Sequence, residues 1–146
     1  MRKHTKRTVR DPMACITRRM PLATDQTQDL GLSYHAALGT MMTEYANESA
    51  WSVLACSLNI ALLLAEQGIN PDAEPVIKLA QEALMQVRRH ALAGNGWRIN
   101  LSHHLKQAIM AAVCAHDEQC AQCTKGQISA ALREINRRIE MDEVLA

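Results

Sequence analysis

The chain has very few aromatic side chains. Its 146 residues include two tryptophans, two tyrosines and no phenylalanine. The hydrophobic core must therefore be built from Leu, Ile, Val, Ala and Met, and three of these, Leu, Ala and Met, are strong helix formers. No segment alternates apolar and polar residues with a period of two, so no strand is predicted. These absences favour an all-α fold.

The chain also lacks an export signal and a long apolar run. Residues 1–20 are basic but contain no apolar segment of the length that a signal peptide needs. The most apolar stretch, residues 50–65, contains Ser52, Ser57 and Asn59, and we interpret it as too short for a membrane span. We therefore predict a cytoplasmic protein with no membrane partner, whose five cysteines are reduced thiols.

Apolar residues recur at intervals of three and four through most of the chain, which predicts helices. Asp11 and Pro12 are typical of the start of a short helix over residues 12–20. Longer helices are predicted at about 25–45, 48–67, 73–93 and 100–122, with a last one that opens at a capping box over residues 124–127. The helix at 48–67 is apolar on nearly every side and is expected at the centre.

The short connections between these helices favour antiparallel neighbours. The prediction is a single-domain, all-α bundle of about five helices with a short extra N-terminal helix. A basic disordered arm is predicted over residues 1–10 and the bundle domain over residues 11–146. Gly31 and Gly39 lie inside the first long helix, where each weakens the helix by about 1 kcal/mol relative to Ala or, alternatively, allows a close helix crossing.

Charge is distributed unevenly along the chain. Residues 1–20 carry seven basic and one acidic side chain, a net charge of +6, whereas the remaining residues carry nine basic and fourteen acidic ones, a net charge of −5. A basic arm on an acidic body is typical of an interaction tail and attracts nucleic-acid phosphates. The predicted nucleic-acid-binding residues are Arg2, Lys3, Lys6, Arg7, Arg10, Arg18 and Arg19.

Two further regions offer contacts for a partner. Trp97 and Arg98 follow the turn Gly94-Asn95-Gly96, where Trp97 either anchors a partner or covers one end of the bundle. Arg133 and Arg137 lie on the polar face of the last helix, although acidic residues cancel the charge of that helix. The helix is therefore compatible with DNA binding but not diagnostic of it.

The group His116, Cys120 and Cys123 is the sharpest local motif, because its spacing places three metal-ligand side chains on one helical face. No second Cys or His pair follows at a suitable distance, and reduced cysteine commonly packs as a small apolar residue. We interpret the group as core and predict no metal and no cofactor. No thiol or hydroxyl has a base and an orienting group that the sequence can place beside it, so no catalytic residue and no enzymatic activity are predicted.

Four short motifs carry a family resemblance: Trp51-Ser52-Val53-Leu54-Ala55, Asn59-Ile60-Ala61, Gly96-Trp97-Arg98 and His116-Asp117-Glu118-Gln119. In these the chain resembles small helical proteins of proteobacterial chromosomes, prophages and mobile elements that often carry the label "Fis family transcriptional regulator". The resemblance implies an accessory, phage-linked protein.

Two hypotheses of function remain open. One is a nucleic-acid-associated transcriptional regulator that uses its basic arm. The other is an adaptor or inhibitor that binds a host protein through an acidic helical surface. A homo-oligomer is expected if a long helix keeps an apolar stripe on its outer face.

Overall fold

The computed structural model describes residues 24–140. They form five α-helices and no β-strand, so the predicted all-α bundle is confirmed for this part of the chain. The helices are α1 Thr24–Met41, α2 Glu48–Glu66, α3 Glu74–Leu92, α4 His103–Gln122 and α5 Lys125–Glu140, with one turn of 3-10 helix, Pro71–Ala73, before α3. The predicted arm and the predicted helix over residues 12–20 lie outside the described residues.

Side-chain caps determine where three of the helices begin. Asn47 accepts a hydrogen bond from the backbone N–H of Ala50 at 2.9 Å and starts α2, and Ser102 caps α4. Before α5, the Thr124 N–H donates to Gln127 Oε1 at 2.9 Å, while the Gln127 N–H donates to Thr124 Oγ1 at 3.2 Å. This reciprocal pair is a capping box, as the sequence predicts.

Helix α1 ends at Met41, four residues before the predicted end. Thr43 Oγ1 donates to the Thr40 carbonyl at 2.7 Å and accepts from the Tyr45 N–H at 3.2 Å. These local bonds compete with the helical ones and turn the chain into a loop. Tyr45, the last residue of the helix predicted at about 25–45, therefore lies in this loop and is 75% exposed.

Helix α2 is the centre of the bundle, as predicted, and contacts all four other helices. Leu54, Leu58 and Leu64 are fully buried, and the Trp51 indole N–H donates to the Leu84 carbonyl of α3 at 2.9 Å. By length and composition, the 19 residues of α2 are also sufficient to cross a membrane, which corrects the interpretation that this stretch is too short. More than half of its apolar window is buried inside the bundle, as in the core helix of a soluble protein.

A smaller apolar cluster attaches α5 to the rest of the molecule. Cys123, Ala131 and Ile135 pack against Leu63 and Leu64 at the C-terminal end of α2. The main core instead joins α1, α2, α3 and α4. The last helix is therefore a separate layer on the outside of α2.

The two glycines of α1 do not serve a close helix crossing. A Cβ atom built on Gly39 meets no atom within 4 Å, and the nearest atom to one built on Gly31 lies at 3.8 Å, an ordinary contact distance. The expectation from the sequence is therefore wrong for both positions, because the neighbouring helices leave room for a side chain.

Candidate functional site

One end of the bundle collects basic side chains. It is formed by the C-terminal turns of α3, the loop 93–102 and the first turn of α4. We call this surface the basic end, and its charged and ionisable members are Arg88, Arg89, His90, Arg98, His103, His104 and Lys106. In the sequence, residues 83–116 contain no acidic residue at all. Because α3 and α4 pack side by side, this stretch folds back on itself and concentrates its charge at one place.

Packing and backbone contacts hold the basic end in shape. The Ile99 N–H donates to the Met41 carbonyl at 2.8 Å and fixes the loop 93–102 against the end of α1. The ring centres of Trp97 and Trp51 are 5.7 Å apart. The Arg88 guanidinium lies over the Trp51 ring, 5.8 Å from its centre. Trp97 is half-buried, so it covers this end of the core and presents only part of its surface to solvent.

The charges of the basic end are not used in ion pairs within residues 24–140. Arg89 and Arg98 are exposed and Lys106 is half-buried, and none of the three takes part in a salt bridge there. Two exposed carboxylates, Glu44 and Glu48, lie at the same end of the bundle, on the loop after α1 and the first turn of α2. The cationic side chains remain in excess.

The opposite end of the bundle is acidic, and two of its four carboxylates pair with a cation. We call it the acidic end, with Glu66, Asp72, Glu74 and Glu118 as its members. Lys78 pairs with Glu74 at 2.7 Å, Arg138 lies 3.6 Å from Glu66, and Asn70 Nδ2 donates to Glu118 Oε2 at 3.2 Å. A shallow depression of about 460 Å³ opens here between Pro71, Glu74 and Lys78.

The two arginines predicted on the last helix have different surroundings. Arg137 donates two hydrogen bonds to Glu134, at 2.8 and 3.1 Å, and Arg138 donates a third at 3.1 Å. These arginines hold the pKa of the Glu134 carboxyl near 2, well below its ordinary value. Arg133 is exposed on the same helix. Two of the arginines of this helix are therefore paired with a carboxylate of the same helix.

The arm residues predicted to bind nucleic acid lie outside the described residues.

His116, Cys120 and Cys123 are buried, with exposed fractions of 4%, 1% and 0%, which confirms that they belong to the core. The neighbouring Gln119 is fully buried and uses both amide hydrogens, donating to the carbonyls of Ala61 at 2.9 Å and Ile69 at 3.0 Å. Its Oε1 is left to accept from His116 Nδ1 at 3.1 Å. The network thus assigns the imidazole proton to Nδ1.

The other imidazole nitrogen, Nε2 of His116, then presents its lone pair to Cys120 Sγ at 3.8 Å. Burial lowers the pKa of His116, which keeps the ring neutral, and raises the pKa of the Cys120 thiol. Burial also raises the pKa of Cys123 to about 11. A nucleophilic cysteine needs the opposite shifts, a lowered thiol pKa beside a protonated base. In residues 24–140 no three His, Cys, Asp or Glu side chains are placed to hold a metal ion.

A second polar group joins α1 to α4. The Tyr34 hydroxyl donates to Asp117 Oδ1, and His35 Nε2 lies 2.8 Å from Asp117 Oδ2. Burial and the bond to Asp117 raise the pKa of the Tyr34 phenol. A small cavity of about 90 Å³ lies beside Tyr34, between Ser57, Ile60, His116 and Leu132. It is large enough for a few water molecules.

Sequence reasoning missed three features of the site. It did not pair His35 with Asp117, because the two residues are 82 positions apart. No role was predicted for Gln119, although a glutamine among the apolar residues on one face of a helix indicates a buried residue that makes hydrogen bonds. It named Arg98 but not Arg88, Arg89 or Lys106, although the absence of acidic residues from 83 to 116 is visible in the sequence.

Comparison of the chain with models of protein families, with curated proteins and with solved structures gives no match in any of the three. The resemblance to the small proteobacterial and prophage proteins therefore stays a prediction.

Proposed function

We propose that this protein is a non-enzymatic, nucleic-acid-associated accessory protein of the cytoplasm that acts in transcriptional regulation. Its basic arm and its basic end together contact nucleic-acid phosphates. The observation that carries the proposal is the set of cationic side chains at the basic end that no carboxylate of residues 24–140 neutralises. Lysine and arginine side chains left in solvent gain affinity for a polyanion by releasing its condensed counterions.

Charge placement favours the basic end over the last helix as the body's contribution to binding. Arg137 and Arg138 are held by Glu134 and would have to give up those bonds to meet a phosphate. Arg89 and Arg98 have no such bond to lose within residues 24–140 and are exposed. Helix α3 also ends here, and its last-turn Arg89 and His90 offset the negative end of the helix dipole without a carboxylate.

The test measures binding of a labelled oligonucleotide to the full chain by fluorescence anisotropy over a range of salt concentrations. The basic-end variant combines Arg89→Gln, Arg98→Gln and Lys106→Gln. The control variant combines Lys78→Gln, Lys125→Gln and Arg133→Gln, which removes the same charge elsewhere on the body. We expect the basic-end variant to bind about tenfold or more weakly and to lose up to about three units of salt slope.

A deletion of residues 1–10 separates the arm from the body, and we expect it to weaken binding further when combined with the basic-end variant. The variant Glu44→Gln is expected to strengthen binding, because it removes a carboxylate from the basic end. Wild-type protein that binds no nucleic acid at low salt would overturn the proposal. Equal weakening by the basic-end and control variants would show that net charge alone is responsible.

A second candidate function is an adaptor, phage-linked in origin, that binds a basic host protein. It is supported by the exposed carboxylates of the acidic end beside the open depression at Pro71 and Glu74. The test is recovery of a stoichiometric partner from host lysate. A variant with Asp72→Lys and Glu118→Lys should lose that partner while the basic-end variant keeps it. Recovery of no stoichiometric partner by wild-type protein counts against this candidate.

Self-association is part of the first proposal, as a homo-oligomer would bring several basic ends to one nucleic acid. Sedimentation of the wild-type protein tests it, and a monomer at all concentrations would remove it.

A further inference from the structure

The basic end exposes apolar side chains as well as charged ones. Tyr45 is 75% exposed and Leu92 is 70% exposed, the two highest values among the large hydrophobic residues of the described part. Tyr45 follows α1 and Leu92 ends α3, so both lie at the end of the bundle where Arg89 and Arg98 are found. An exposed aromatic ring and an exposed large aliphatic side chain at the same end of the bundle as unpaired cations suit a ligand that has both charge and a flat apolar surface.

The ring of Tyr45 is displayed on a loop with fixed backbone. Its N–H donates to Thr43 Oγ1 at 3.2 Å, and its carbonyl accepts from Asn47 Nδ2 at 3.1 Å. Asn47 is itself fixed as the cap of α2. The bond between Ile99 and Met41 brings the loop that carries Trp97 and Arg98 against the end of α1. The Tyr45 ring is therefore held on an ordered loop, exposed to solvent, at the same end of the bundle as the loop 93–102.

The shape of the basic end is unsuited to reading duplex DNA in its grooves. Major-groove recognition uses a helix whose side chains project along its length into the groove. At the basic end helices α1 and α3 finish and α2 and α4 begin, so the surface consists of helix termini and two loops. Single-stranded nucleic acid is instead bound by cationic surfaces with aromatic rings on which unpaired bases stack.

Building on the proposed function, we propose that the basic end binds single-stranded nucleic acid, with phosphates on Arg89, Arg98 and Lys106 and a base stacked on the ring of Tyr45. Every base has a π-face, so stacking on one ring requires no particular sequence. The site is therefore expected to be tolerant of sequence and to discriminate by strandedness.

The test compares binding of the full chain to single-stranded DNA, single-stranded RNA and duplex DNA of the same sequence and of about 16 nucleotides per strand. We expect both single strands to bind more tightly than the duplex. Tyr45→Ala should weaken single-strand binding by about tenfold, Tyr45→Phe should keep it within about threefold, and neither should change duplex binding. Because the Tyr45 ring is exposed, circular dichroism and the unfolding midpoint should be those of the wild type.

The outcomes separate this inference from the proposed function. If single strands and duplex bind equally, weaken in the basic-end variant and do not respond to Tyr45→Ala, the stacking site is overturned and the proposed function stands. If the duplex is preferred, single-strand specificity is overturned as well. If no nucleic acid binds at low salt, both proposals fall. A preference between DNA and RNA that depends on Tyr45 would support the site and name its natural ligand.

Discussion

The two ends of the bundle use their polar groups in different ways. At the acidic end carboxylates meet Lys78, Arg138 and Asn70, and the adjacent core holds Gln119 with all its hydrogen bonds made. At the basic end Arg89 and Arg98 face solvent, and no cation of this end forms an ion pair in residues 24–140. The core beneath them contains Trp51, Trp97 and aliphatic side chains. The buried Gln119 beside one end therefore stabilises the fold, whereas the exposed cations at the other end are available for a ligand.

Substitutions at the two ends are therefore expected to have different effects, on folding in one case and on binding in the other. Changes to the buried Gln119 beside the acidic end should lower the free energy of unfolding, because they leave buried groups without partners. Charge changes at the basic end should alter binding and leave stability nearly unchanged, because exposed charges contribute little to folding. The following predictions test that division, beginning with the largest effect.

Gln119→Leu should lower the free energy of unfolding by about 3 kcal/mol. The substitution keeps the volume but leaves the Ile69 carbonyl and His116 Nδ1 without their partner and removes a bond to the Ala61 carbonyl. The measurement is urea denaturation followed by circular dichroism. Gln107→Leu, at an exposed position of the same helix, is the control and should change stability by less than about 0.5 kcal/mol. Similar values for the two variants would contradict the role of Gln119.

Raising the pH above about 9 should destabilise the protein by about 1–2 kcal/mol through Cys123. In the unfolded chain the thiol ionises at its ordinary pKa, whereas in the folded protein burial delays ionisation to about pH 11. The unfolded state therefore loses its proton first, and stability falls across that window. Denaturation under reducing conditions at several alkaline pH values measures it. Cys123→Ala should flatten the dependence, and Cys114→Ala, at an exposed thiol, should not.

Acidification below about pH 6.5, the ordinary pKa of histidine, should destabilise the protein through His116. Burial lowers the pKa of His116 in the folded state, so below the ordinary histidine pKa the unfolded state binds the proton and the folded state does not. Stability is thus fully present above that value and lost as the pH falls. His116→Gln should reduce the slope, whereas the exposed His90→Gln should retain it. An unchanged slope in His116→Gln would assign the effect to other groups.

Two glycine substitutions should change stability in opposite directions. Gly39→Ala should raise stability by about 0.5–1 kcal/mol, because residue 39 is helical and a Cβ atom at this position meets no other atom within 4 Å. Gly94→Ala should lower it by about 1 kcal/mol, since Gly94 has a φ of +89°, a conformation that side chains disfavour. Thermal denaturation of both variants is the measurement, and a loss of stability in Gly39→Ala would mean that α1 is more tightly packed than its surroundings indicate.

The smallest effect should come from the basic end itself. The double variant Arg89→Gln with Arg98→Gln should change the free energy of unfolding by less than about 0.5 kcal/mol. The same preparation of the double variant should bind the oligonucleotide more weakly than the wild type does. One sample then shows that binding changes while stability does not. A loss of stability comparable to that of Gln119→Leu would end the distinction between the two ends.

The helices and most of their ends could be predicted from the sequence. Periodic apolar residues and the caps Asn47, Ser102 and Thr124 are local signals, since each acts on backbone groups within a few residues. The end of α1 was predicted less well, because the competing bonds of Thr43 cannot be weighed against one more helical turn from spacing alone. The burial of His116, Cys120 and Cys123 also followed from their place in the stripe.

The contacts between distant polar groups could not be predicted from the sequence and are seen in the folded bundle. The pairing of Tyr34 and His35 with Asp117, the bonds from Gln119 to α2 and the loop before α3, and the contact of the loop 93–102 with the end of α1 all join residues far apart in the chain. Helical periodicity determines the face on which a side chain lies but not the residue that faces it, because helix order and crossing depend on the packing of the whole bundle.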